Sequence, residues 1–221
     1  MSMHWERSVK YGVLGPLRAC SDAGAEVTIR SRLERTVLAT LLVRTGQVVT
    51  AGQLVETLWG YRPPSSYASN LQTYVSRLRD RIGARIDHVN GGYRLTVGDD
   101  DLDLTLFRRD VTRARAAADP AAAATYFRQA LDRWRGPMLA GLSVPLLAPD
   151  IAHCELERLD AAEDAAAAHL AAALPATDLL PDLRTLVAEH PLRERPHGLL
   201  MVALCRAGRR ADALQVYQHA R

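Results

Sequence analysis

Four apolar residues, Leu71, Val75, Leu78 and Ile82, recur at i, i+4, i+7 and i+11 between Pro63-Pro64 and the dipeptide Asn90-Gly91. At about 100° per residue they fall within about 60° of one another, so a helix over 66–82 buries one narrow stripe. Its opposite side then carries Ser66, Ser69, Thr73, Ser76, Arg77 and Asp80. Asn70, Tyr74 and Arg81 lie on one flank of that side, and Gln72 and Arg79 on the other. Two prolines cannot continue a helix, which predicts an extended connection over 60–64 and a cap at Ser65 or Ser66. Asn90-Gly91 suits a two-residue turn with positive φ at both positions, so residues 86–97 read as a hairpin. Along its second arm Tyr93, Leu95 and Val97 alternate with Arg94 and Thr96.

Two further helices are legible upstream. Ser31-Arg32-Leu33-Glu34 has the spacing of a capping box, in which the serine accepts from the third amide and the glutamate reaches back. Leu33, Val37, Leu38, Leu41 and Leu42 follow at helical spacing, and Gly46 suits the position past the helix end. Thr50-Ala51-Gly52-Gln53 is a second box, opening a short helix with Leu54, Val55, Leu58 and Trp59 turned inward and Gly60 at its end. Before these, Tyr11, Val13, Leu14 and Leu17, a polar break over 20–24, then Val27 and Ile29 predict a small antiparallel sheet. Sheet, three helices and hairpin make the layout of a winged helix-turn-helix.

Charge divides the chain as well. Residues 1–98 hold 13 basic and 7 acidic side chains, whereas residues 99–221 hold 15 and 18. A basic half joined to an acidic half is expected where one half meets a polyanion. Asp99-Asp100-Asp101, with Asp103 just after, marks the change of texture. The expected organisation is a winged helix over 1–98, an acidic linker over 99–103 and a helical domain over 104–221.

The second half is alanine-rich and helical. Leu106, Phe107, Val111 and Ala114 form one face; Asp119-Pro120 separates it from a second stripe, Phe127, Leu131 and Trp134. A long helix over about 149–173 places Leu156, Leu159 and Leu170 inward, and others follow near 179–189, 192–206 and 209–220. Ala123-x3-Phe127 and Ala213-x3-Tyr217 repeat at an offset of 90, the small-then-aromatic signature of tetratricopeptide-like helix pairs. The fold class expected is therefore α+β in the first domain and all-α, tetratricopeptide-like, in the second.

Several chemistries find no residues here. The sole lysine, Lys10, is not preceded by the glycines of a phosphate loop, and no Gly-x-Gly-x-x-Gly, His-Glu-x-x-His or Gly-x-Ser-x-Gly string occurs. Three scattered cysteines, Cys20, Cys154 and Cys205, form no disulfide framework or metal-ligand spacing and suit a reducing cytoplasm. No stretch has the length and apolarity of a membrane span, and the first 25 residues have no signal-peptide core. A non-enzymatic, cytoplasmic, nucleoid-associated protein without cofactor or metal is the expectation.

Val13-Leu14-Gly15-Pro16-Leu17, Leu58-Trp59-Gly60 followed by Pro63-Pro64, Tyr74-Val75-Ser76-Arg77-Leu78-Arg79 and Gly92-Tyr93-Arg94-Leu95 resemble one family. It is the Streptomyces antibiotic regulatory protein family, whose DNA-binding half is an OmpR-type winged helix. His190-Pro191-Leu192-Arg193-Glu194 and Gly208-Arg209-Arg210-Ala211 resemble its bacterial transcriptional activator domain. The resemblance implies an activator of a secondary-metabolite gene cluster. It would bind promoter direct repeats as a head-to-tail homodimer and recruit RNA polymerase holoenzyme through its sigma, beta-flap or alpha subunit.

Carried onto this chain, the resemblance makes Asn70, Thr73, Arg77 and Arg81 groove-entering residues and Ser66, Tyr74 and Arg79 phosphate contacts. Arg94 is the wing contact, and Tyr61 and Arg62, between the second and third helices, face the polymerase. Related wings often hold an arginine just before the turn glycine, where this chain has Asn90. The family usually continues with further helices, so a chain truncated at Arg221 is one expectation; the other is that a partner buries Leu214 and Tyr217. A helical-repeat scaffold using its winged helix for protein contacts is the alternative function.

Overall fold

Ser31 opens the first helix, α1 (Arg32–Val43), and its hydroxyl accepts from the Glu34 amide at 3.3 Å. In this computed structural model, which describes residues 10–21, 24–83 and 85–219, only that half of the expected capping box forms. The Glu34 carboxylate does not return to Ser31; it is buried against two arginines of a later helix. In the second box both halves are present. Thr50 Oγ1 accepts from Gln53 N at 3.2 Å, Gln53 Oε1 accepts from Thr50 N at 2.9 Å, and α2 (Ala51–Trp59) follows. Leu54 is buried, whereas Val55, Leu58 and Trp59, expected inward, are half-buried, because at about 100° per residue the four spread over about 140° of the helix surface.

The third helix, α3 (Tyr67–Ile82), buries the full stripe of Leu71, Val75, Leu78 and Ile82 and packs it on α1. Ser66 is its N-cap but makes no capping bond, since its hydroxyl accepts from Asn70 Nδ2 at 3.2 Å instead. Gly83 ends the helix in the left-handed conformation, φ 60°.

The hairpin forms as expected, from β4 (Ile86–Val89) and β5 (Gly92–Leu95), with φ of 48° at Asn90 and 74° at Gly91. A short β3 (Val49–Thr50), which periodicity does not reveal, pairs with β5 and makes a three-stranded antiparallel sheet in the order β3-β5-β4. Gly92 is required there: a Cβ on it would stand 2.4 Å from the Val49 carbonyl oxygen and 2.9 Å from Thr50 Cα.

The N-terminal sheet is smaller than expected. β1 (Tyr11–Gly12) pairs antiparallel with β2 (Arg18–Ala19), and the Val27 and Ile29 segment contributes a single bridge, Cys20 to Glu26. Asp22 and Ala23 of the expected polar break lie outside the described residues, as do residues 1–9 of the N-terminal segment read for a signal. Val13 and Leu14 extend no strand because other partners use their main-chain groups. The Asp103 carboxylate accepts from Val13 N and Leu14 N at 2.9–3.1 Å. Arg135 N donates to Leu14 O at 2.8 Å and Leu139 N to Val13 O at 3.0 Å. Asp103 is thus not solvated linker but the buried first residue of α4 (Asp103–Ala116).

The chain resolves into two compact units. The first runs to Arg108 and includes Arg133–Glu155; the second comprises Arg109–Asp132 and everything from Leu156 onward. In the first, Phe107 and Trp134 pack edge to face at 5.6 Å, Arg135 Nη2 meets Asp103 Oδ2 at 3.2 Å, and Arg44 Nη2 meets Asp150 Oδ2 at 2.9 Å.

The second unit is helical. The break expected at Asp119-Pro120 is present, with Pro120 at the first position of α5 (Pro120–Leu131), and Asp119 caps that helix by accepting from Ala121 N and Ala122 N. The unit also contains the later turns of α6 (Ala148–Ala171), then α7 (Leu180–Glu189), α8 (Glu194–Arg206) and α9 (Arg210–His219). Along α6, Ala161, Ala166 and Leu170 are buried, while Leu156, expected inward, is 51% exposed and Leu159 is half-buried. Alanines at the buried positions let neighbouring helices approach closely. Glu163, on the same helix, is buried and meets Arg193 Nε at 2.6 Å and Arg195 Nη1 at 3.6 Å. Ala123, Phe127 and Ala213 of the repeated signature are buried, whereas Tyr217 and Leu214 are exposed; Ala220 and Arg221 lie outside the described residues. No helix among the described residues is long and apolar enough to cross a membrane.

Candidate nucleic-acid interface

Burying one stripe of α3 leaves its other side to solvent. Ser66, Ser69, Gln72, Thr73, Ser76, Arg77, Asp80 and Arg81 are exposed, and Asn70 is half-buried. Three hydroxyl and amide groups here are organised within the helix. Asn70 donates to Ser66 Oγ, Ser69 Oγ donates to Ser66 O at 3.0 Å, and Thr73 Oγ1 donates to Ser69 O at 2.8 Å. The Thr73 hydroxyl therefore keeps its lone pairs outward as an acceptor. Tyr74 leans on Trp59, with ring centroids 6.3 Å apart, which braces the middle of α3 against the end of α2.

The arginines separate into two groups. Arg77 and Arg81 stand one turn apart, and both reach Glu34: Arg77 Nη1 lies 3.3 Å from Oε1 and Arg81 Nη1 2.9 Å from Oε2. Their side chains remain 55% and 43% exposed, while that of Glu34 is 1% exposed. Arg79, expected on phosphate, donates through Nε and Nη2 to the Ile86 carbonyl and ties α3 to the first wing strand. Arg94 sits on β5 opposite Asp87, half-buried, and its Nε is enclosed with no hydrogen-bond partner among the described residues. Tyr61 and Arg62 are exposed on the loop between α2 and α3, Tyr61 almost completely, at 97%.

Glu34 is the residue that spacing conceals. Its position three after Ser31 reads as a cap, yet it also lies at i−4 from Leu38 and i−7 from Leu41, inside the buried stripe of α1. A carboxylate on an apolar stripe demands an opposite charge. That demand is the signal, but it does not say which arginine answers it.

Two family descriptions match the chain: the bacterial transcriptional activator domain over residues 102–221, and the transcriptional regulatory protein, C terminal, over residues 24–95. The chain is 38% identical over 220 residues to the regulatory protein AfsR of Streptomyces coelicolor, covering 97% of this chain and 22% of AfsR. It is 35% identical over 226 residues to the transcriptional regulator RedD of the same species, covering 96% of this chain and 64% of RedD. To the regulatory protein DnrI of Streptomyces peucetius it is 32% identical over 225 residues, covering 95% and 82%. Mycobacterium tuberculosis EmbR, solved in complex with a low-affinity phosphopeptide, superposes with a TM-score of 0.89 at 29% identity, covering 96% of this chain and 59% of that one. With its winged-helix segment and its activator domain both matched, and most of one such regulator covered at 32% identity, this chain belongs to the Streptomyces antibiotic regulatory protein family of transcriptional regulators.

Proposed function

We propose that this chain is a sequence-specific transcriptional activator of a secondary-metabolite gene cluster, with α3 as its recognition helix. The observation that carries the proposal is the exposed face of α3, where Gln72, Thr73, Arg77 and Arg81 project, with half-buried Asn70 beside them, from a helix whose apolar side is sealed. A helix of about 10–12 Å diameter fits the major groove of B-DNA. There Arg pairs with the guanine edge and Asn or Gln with adenine. Ser66 and Tyr74 flank this face as phosphate contacts, and Arg94 serves the wing. Arg79 keeps its place near the backbone of the DNA but acts chiefly through the wing it holds.

Two protomers bind head to tail on direct repeats about one helical turn apart, which places both on one side of the duplex. The exposed Tyr61 and Arg62 of the loop between α2 and α3 then meet RNA polymerase holoenzyme, at the nucleoid where promoter DNA lies. Selection from a random duplex pool by the full chain, followed by salt-dependent mobility shifts, tests the proposal. Enriched direct repeats, bound more tightly than scrambled duplex and with steep salt dependence, are expected. Arg77→Ala should weaken the selected site by about 1–3 kcal/mol and relax one base position. No sequence preference at low salt overturns the proposal and favours the scaffold function.

A further inference from the structure

Beneath two half-exposed arginines of α3 lies a single carboxylate, and it is nearly inaccessible to water. Glu34 sits in the first turn of α1, where the amide dipoles favour negative charge, and Ser31 fixes that turn by accepting from its amide. Its two oxygens are divided between partners on a different helix, Oε1 to Arg77 and Oε2 to Arg81. Those partners are four residues apart and therefore stack on one face of α3. One negative charge under two positive ones leaves a net positive pair, and each guanidinium keeps most of its five donors for an external ligand.

We infer that Glu34 is a specificity-determining positioning residue: it holds the Arg77 and Arg81 guanidinia in one arrangement before DNA arrives and retains them while DNA is bound. This rests on α3 being the recognition helix. Two physical facts support the retention. Exchanging Glu34 for phosphate would strand a buried carboxylate without a partner, which is costly. A preset guanidinium also loses less freedom on meeting a base edge than a mobile one. A carboxylate close to the groove face further opposes phosphate, so it lowers sequence-independent attraction while improving directed contacts. The signature is therefore a change of opposite sign on two kinds of DNA.

The experiment compares the full chain with its Glu34→Gln variant on a duplex enriched from a random pool and on the same bases scrambled. Glutamine keeps the size and the acceptor but removes the charge. The expected result is about ten-fold weaker binding to the selected duplex, with scrambled duplex bound equally or more tightly. Parallel losses on both duplexes, or an unchanged ratio between them, would overturn the inference while leaving the recognition helix in place. A wild-type chain with no preference for any duplex overturns the recognition helix and this inference together. Should Glu34→Gln not fold, nitrogen-15 spectra of the wild-type arginines decide. Slowed guanidinium rotation at Arg77 and Arg81, free and DNA-bound, is expected, and fast rotation in either state refutes the inference.

Discussion

Arg79 and Ile86 are joined across the turn between α3 and the wing, with Arg79 Nε donating to the Ile86 carbonyl at 2.8 Å. The second donor, Nη2, is directed at the same oxygen. A side chain that periodicity puts on the DNA-facing flank thus fixes the angle between helix and hairpin. Arg79→Ala should lower stability by about 1 kcal/mol, the net worth of a partly solvated hydrogen bond. It should also increase hydrogen exchange at the amides of β4 more than at those of α1. Equal protection in variant and wild type would refute this coupling.

Asp103 couples stability to pH. Burial pushes its carboxyl above the ordinary value of 3.8, and the Val13 and Leu14 amides and the Arg135 guanidinium offset only part of that push. A carboxyl raised on folding holds its proton more tightly in the native state. Its contribution is therefore complete below pH 3.8 and declines as pH rises through the raised native value. Urea midpoints measured across the acid range should show that decline in the wild type and a flatter profile in Asp103→Asn. Asp103→Ala, which strips the acceptor from two buried amides, should cost about 3 kcal/mol at neutral pH.

The wing turn separates two kinds of backbone requirement. Asn90 has a left-handed φ of 48° but is exposed, so Asn90→Gly should be neutral or slightly stabilising and Asn90→Val should cost about 1–2 kcal/mol. At Gly92 the obstacle is contact, because a Cβ meets the main chain of β3. Gly92→Ala should cost about 2 kcal/mol or more by forcing β3 and β5 apart. Thermal melts of the three variants rank them, and a Gly92→Ala protein as stable as Asn90→Gly would contradict the close approach.

Glu163 anchors the helical unit. Besides Arg193 and Arg195 on its own carboxylate, Arg193 Nη2 reaches Asp160 at 2.6 Å and Arg195 Nη2 reaches Asp164 at 2.7 Å. Glu163→Ala leaves the buried centre of this network empty and should cost about 3 kcal/mol. Arg115→Ala, at its exposed rim, should cost less than about 1 kcal/mol. Denaturant unfolding of both variants checks the ratio, and equal effects would remove Glu163 from the centre.

Much of this was visible in the residue order. The stripe of α3, the Thr50 to Gln53 box, the Asn90-Gly91 turn and the helix break at Asp119-Pro120 all depend on neighbours within a few positions, and each forms as its spacing predicts. Leu156 and β3 escaped for opposite reasons. The first has a helical spacing that its surroundings do not bury, and the second is two residues long, too short for any period. On the candidate interface, exposure followed from periodicity, but the intramolecular partners of Arg77, Arg79 and Arg81 did not.

The chain order alone determined where helices start and stop, which side of α3 is apolar and that a hairpin follows it, because those are local matters of dihedral preference and spacing. Tertiary structure alone decided that residues 133–155 join the first compact unit, that Asp103 is a buried clamp rather than linker, and that Glu34 abandons its cap for two arginines 43 and 47 positions away. A charge withdrawn from water takes whichever opposite charge the completed fold brings within reach, and no short window of sequence contains that information.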